Sequence, residues 1–127
     1  QRSLYHAKKL DDAVEDDERQ ELRKITTAGS LASFFQFRND QNEWTVPPRL
    51  VDGVDQRPVG ALLSIEGLHN LEGKAENLDA LYDAGFRMAG LTHFFDNELA
   101  GSMHGEEKGG LTPFGREIVQ AMEAKGM

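Results

Sequence analysis

Val59-Gly-Ala-Leu-Leu-Ser-Ile65 is a short, nearly continuous apolar run, the pattern of a strand covered on both faces. Glu66-Gly67 ends it. The spacing then predicts a helix from about Lys74 to Ala84, with Leu78, Leu81 and Tyr82 on one face and Gly85 at the C′ position. Phe86 to Leu91 reads as a second strand that runs into Thr92-His93. A glycine-bearing loop, Phe94 to Leu111, leads to a last helix capped by Thr112, opened by Pro113 and closed by Gly126. Phe114, Ile118 and Met122 form its apolar stripe. Strand, helix, strand, helix is the order that builds parallel sheets through right-handed crossovers. Two buried parallel strands want neighbours on both sides, so the pattern is that of a piece of a larger α/β protein.

Upstream, Leu4, Ala7, Leu10, Ala13, Val14, Leu22 and Ile25 fall at helical spacings and predict one helix from Leu4 to Ile25. The cluster Glu15-Asp16-Asp17-Glu18 reads as a solvated face. A shorter helix follows on Leu31, Phe34 and Phe35, with Thr27 or Ser30 available as its cap. Asn39 to Pro58 is a polar stretch broken by Pro47-Pro48 and Gly53, expected as a long loop anchored by burial of Trp44. The organisation expected is one partial domain: a helical segment (1–38), a loop (39–58) and the strand–helix–strand–helix core (59–127).

The chain has 127 residues and a formal net charge of −8, which argues against nucleic-acid binding because a surface this acidic repels phosphate. No apolar run approaches the ~20 residues of a membrane helix. With no cysteine, thiolate metal sites and cysteine nucleophiles are excluded. Any metal must be held by carboxylates and by the four histidines, His6, His69, His93 and His104.

Glu66 and His93 both stand just after an apolar strand, and the carboxyl ends of parallel strands share the rim that carries active sites. A carboxylate there can bind metal, act as a base or hold an arginine; a histidine can bind metal or donate to an oxyanion. The plainer alternatives are a salt bridge at a loop or helix start for Glu66 and a packed, hydrogen-bonded imidazole for His93. Glu66-Gly-Leu-His69 spells E-x-x-H, but Gly67 opposes a helix there and only one copy exists. His69 is expected to fix the loop, His104 to be an exposed loop residue and His6 to be structural or at the surface. No H-E-x-x-H, P-loop, G-x-G-x-x-G or G-x-S-x-G motif is present.

Three blocks in order, Leu62–Asn70, Leu78–His93 and Gly109–Val119, together resemble the membrane dipeptidase (renal dipeptidase) family. The resemblance covers roughly residues 59–127, with only a loose match before it. It implies a (β/α)8 TIM-barrel-like metallohydrolase, of which two βα units and the preceding helices are present here, with a centre of two zinc ions and dipeptides as substrates. On the matching positions, Glu66 would be the carboxylate bridging both metals, and His93 would contact the scissile carbonyl and stabilise the oxyanion. Asp96 and Asn97 would line the substrate site, with Asn97 binding substrate, while Thr112, Pro113 and Arg116 would brace the rim. The metal-bound water implied by such a centre has a pKa of roughly 7.

The family draws its other ligands from an H-x-D motif near the N-terminus and from two histidines further downstream. Here His6 is followed by Ala7-Lys8, and no H-x-D occurs. A lone carboxylate cannot hold two zinc ions, so an internal fragment of a dipeptidase, inactive alone, is the expectation. Exposed parallel-strand edges on such a fragment are compatible with a homo-oligomer. Two other readings remain open: a barrel metallohydrolase acting on another amide or ester, and a non-catalytic α/β binding module in which Glu66 and His93 are structural.

Overall fold

The computed structural model describes residues 2–19, 21–40, 50–51, 54–55 and 58–127, with side chains not described between 38 and 57. Helix α1 covers Arg2–Glu15, strand β1 Leu22–Lys24 and helix α2 Ala28–Asp40. Strands β2 (Leu50–Val51), β3 (Val54–Asp55), β4 (Val59–Ala61) and β5 (Leu63–Glu66) follow. A 3-10 turn over Leu68–Leu71 leads to helix α3 (Asn77–Asp83), strand β6 (Phe86–Gly90) and helix α4 (Pro113–Lys125). The chain divides into two compact units, Tyr5–Leu62 and Leu63–Met127, the latter joined by Gln1–Leu4.

In the unit Tyr5–Leu62, the single helix expected from Leu4 to Ile25 is interrupted. Acidic side chains oppose the negative end of a helix dipole, and α1 stops at Glu15, at the head of its acidic cluster. Asp17 then accepts the backbone N–H groups of Arg19 (3.1 Å) and Leu22 (2.6 Å), folding the chain into β1. That bond from Leu22 is the main cause holding the Asp17 carboxyl below its ordinary value. Strand β1 pairs in parallel with β4, and Ile25 N donates beyond it to Ala61 O (2.8 Å). Helix α2 is capped as expected, with Thr27 Oγ1 accepting from Ser30 N at 2.9 Å. Ile25 and Phe34 are buried, and a side chain at Gly60 would press within 3.2 Å of the Phe34 ring. In the stretch expected as a loop, β2 and β3 form a short antiparallel pair; Trp44 lies outside the described residues.

The run Val59–Ile65, expected as one strand, serves two sheets. Its first half is β4, bonded to β1, and its second half is β5, bonded in parallel to β6. Burial on both faces is not found: Val59 and Leu62 are exposed, while Ile65 is buried. In a two-stranded sheet each strand keeps one free edge, and no closed barrel forms among the described residues.

In the unit holding Leu63–Met127, a register shift after Leu63 leaves Arg87 as the extra residue on β6. Its guanidinium lies 3.7 Å from the Tyr82 ring centre and donates to Tyr82 O at 2.6 Å, binding β6 to the end of α3. Leu68, Leu71, Leu78, Leu81, Phe86, Leu99 and Ile118 are buried, each contributing about 1.5–3 kcal/mol. The surface pair Lys125–Asp79 (2.5 Å) is screened by solvent and contributes little. Helix α4 starts as the sequence predicts: Thr112 Oγ1 accepts Gly115 N at 2.9 Å, Pro113 opens the first turn, and Gly126 (φ 75°) closes the last. The Thr112 hydroxyl also reaches Glu98 O (2.7 Å) and Leu99 O (3.1 Å), while Thr112 N donates to Leu99 O (2.9 Å). Helix α4 is thereby fixed to the loop that follows β6.

The Leu99 carbonyl lies where a β-carbon on Gly115 would stand. Gly115→Ala is expected to destabilise the chain by about 1–3 kcal/mol in urea unfolding, the cost of overpacking against backbone. A loss below ~0.3 kcal/mol would contradict that close approach.

Candidate active-site rim

Hydrogen bonding between the two strands continues past their ends. Glu66 is opposite Gly90, after which Gly67 N donates to Gly90 O (3.1 Å) and Leu68 N to Leu91 O (3.0 Å). This parallel zipper delivers Glu66 and His93 to one rim, where His93 Nδ1 lies 3.2 Å from Glu66 Oε1. The imidazole is 39% exposed and the carboxylate side chain 78% exposed, so the pair opens to solvent with groups to spare. The imidazole edge also meets the Phe94 ring, with centres 4.2 Å apart.

Gly67 sits between the two. Its φ of 93° suits glycine, and a β-carbon there would lie 2.9 Å from His69 Nδ1 and 3.3 Å from the His93 β-carbon. His69 therefore folds back along the same rim, on the 3-10 turn and not on a helical face shared with Glu66, so E-x-x-H spacing has no helical meaning here. His104 is exposed, as expected, with its ring 5.9 Å from that of Phe94. His6 is exposed on α1, also as expected. Among the described residues, no three of His, Asp and Glu come together as a metal-binding group.

Asp96 and Asn97, expected at the substrate site, both spend their polar atoms on the chain itself. Asn97 Nδ2 donates to Leu91 O (2.7 Å), and its Oδ1 accepts from Leu99 N (2.9 Å) and Ala100 N (3.2 Å). The side chain thus fastens the end of β6 to the loop that carries α4. Asp96 accepts Ser102 N at Oδ1 (2.6 Å) and Glu107 N at Oδ2 (2.9 Å). These amides, Ser102 first, hold its carboxyl below the ordinary aspartate value.

Ser102, which the sequence does not single out, is the one buried polar side chain among the described residues. Its hydroxyl donates to His93 O at 2.6 Å. A serine inside a Gly-Ser-Met-His loop looks like ordinary turn material, and only the fold reveals its partner.

Comparison with known proteins fits this rim. Residues 47–127 match the profile of the family described as membrane dipeptidase (peptidase family M19), and the chain belongs to that family. The matched span contains both Glu66 and His93. The chain is 44% identical over 71 residues to the dipeptidase aclJ of Aspergillus oryzae. It is 39% identical over 71 residues to an uncharacterized dipeptidase of Schizosaccharomyces pombe. Each alignment covers 54% of this chain, which spans 17% of the length of each relative. Membership implies a TIM barrel; the described residues show a mixed α/β arrangement with parallel strands, β5–α3–β6 among it, and no closed barrel.

Because the folded Asp96 value is depressed, its bonds stabilise the loop fully above the ordinary value of 3.8 and are lost as pH falls through the lower folded value. The backbone amide resonances of Ser102 and Glu107 are expected to move together with a midpoint below 3.8, and Asp96→Asn should abolish that transition. A shared midpoint at or above 3.8 would rule out the amide-bound carboxylate.

Proposed function

We propose that this chain is the catalytic-rim portion of a dipeptidase, in which Glu66 serves the metal centre and His93 serves the substrate. The observation that supports this reading is the meeting of Glu66 and His93 at the carboxyl ends of adjacent parallel strands, inside the segment matched to the family. Dipeptides are the substrate class that family membership suggests.

The family is zinc-dependent. A catalytic zinc site needs about three protein ligands; the pair with His93 offers one exposed carboxylate, Glu66, and no cluster of three forms among the described residues. They do not form a zinc site by themselves. Glu66 is the residue available as one ligand, and its partners would have to come from sequence outside the described residues.

Within those limits the chemistry of the two side chains is defined. Each carboxylate oxygen carries two lone pairs, so Glu66 can face His93 through Oε1 and still present Oε2 to a cation. With the carboxylate beside Nδ1, Nε2 is the ring nitrogen left to face substrate. His93 then offers its imidazole to a substrate carbonyl whose oxygen gains charge as the amide is attacked. Asn97 contributes by holding Leu91, two residues before His93, through one of the two N–H groups of its amide.

The decisive experiment compares this chain with a polypeptide that also carries the flanking sequence, using unblocked dipeptides with and without added zinc. Zinc-dependent hydrolysis by the longer form is expected. In that form His93→Ala should lower kcat by about 10²–10³-fold with little change in KM. An effect confined to KM would remove the oxyanion role. Glu66→Gln should reduce bound zinc measured by metal analysis, and full zinc content in that variant would remove the ligand role.

A further inference from the structure

His93 lies beyond the last inter-strand bond, Leu68 N to Leu91 O, so the sheet does not fix it. What reaches its main chain is Ser102, nine residues on, whose hydroxyl donates to His93 O at 2.6 Å. Every polar group of Ser102 is engaged close by. Its N–H donates to Asp96 Oδ1 (2.6 Å), its carbonyl accepts Gly105 N (3.0 Å), and its hydroxyl accepts His104 N at 3.3 Å. The residue is 4% exposed, so its bonds are shielded from water. Asp96 holds Ser102 in place and is itself held at its other oxygen by Glu107 N. Asp96, Ser102 and the His93 carbonyl form a chain of bonds that spans the loop and ends at the imidazole-bearing residue.

We propose that Ser102 is a positioning residue for His93: its buried hydroxyl takes the place of the missing sheet bond and sets where the imidazole stands relative to Glu66. This rests on the reading of His93 as the residue that meets substrate. A ring displaced by about 1 Å from a developing oxyanion costs up to about a hundredfold in rate, so a main-chain anchor behind the ring has catalytic weight without touching substrate.

The test is a double-mutant cycle in the longer, hydrolytically active polypeptide. Ser102→Ala is expected to lower kcat by about 10–100-fold while KM stays within about twofold. In a His93→Ala background the same substitution should have no further effect, because the group it positions is gone. Should Ser102→Ala fail to fold, Ser102→Cys, similar in size but a poor donor, replaces it. An unchanged kcat, a change in KM alone, or the same loss with and without His93 would overturn the proposal.

A wild-type polypeptide that cleaves no dipeptide would overturn the functional reading instead. The positioning claim is then decided on the present chain by NMR. Ser102→Ala should shift the His93 ring-proton resonances and leave those of His6 unmoved, whereas unmoved His93 resonances would overturn it.

Discussion

The parallel pairing of β5 with β6 is the constraint on which the rim depends. Parallel strands run the same way, so residues that leave their carboxyl ends emerge on one edge however far apart they lie in sequence. Register then decides which residues meet. With Glu66 opposite Gly90, and the ladder continuing through Gly67 and Leu68, the next side chains to leave the sheet are Glu66 on one strand and, after Leu91 and Thr92, His93 on the other. A one-residue slip would turn Glu66 to the opposite face. The bulge at Arg87 limits such slippage, because the extra residue is itself tied down on Tyr82.

Strand ends are where inter-strand bonding runs out, and this chain replaces it with side chains. Asn97 returns to Leu91, Ser102 to His93, and Thr112 to Glu98 and Leu99. Each is a short polar side chain spending its hydrogen-bonding capacity on carbonyls at or beyond the last inter-strand bond. The loop between β6 and α4 thus behaves as an extension of the sheet, and helix α4 begins at a point dictated by it. The acidic residues have unequal duties. Asp17 and Asp96 stop or brace backbone, whereas Glu66, with no backbone amide among its described bonds, faces His93 and solvent.

The sequence exposed the part of this arrangement that follows from periodicity and capping. Helix α4 with Thr112, Pro113 and Gly126, the buried Leu78 and Leu81 of α3, and the placing of Glu66 and His93 near strand ends are all local signals, although Glu66 is the last residue of β5 and not the first beyond it. Two features escaped it for a common reason. Leu22 and Ile25 continue the helical spacing of α1 but belong to β1 and its extension, because Asp17 finds a backbone amide five residues away. The run Val59–Ile65 looks like one strand, because apolar spacing reports the tendency to be buried and not the identity of the partner. Ser102 escaped as well: its importance lies in a bond to a carbonyl nine residues back, and a carbonyl has no side-chain signature.

The long excursion between Phe94 and Leu111 is drawn shut at its base. Ala100 pairs with Leu111, Gly101 N reaches Gly110 O at 3.4 Å, and Thr112 N bonds to Leu99 O. A loop whose two stems are already fastened together charges little entropy for extra length at its tip, since closure is complete before the added residues begin. Residues 106–109 are exposed inside that neck, and Glu107 N ties them back to Asp96. The neck therefore uncouples the size of the excursion from the spacing between β6 and α4. Extra residues inside the neck would lengthen the rim's border without changing the spacing between β6 and α4.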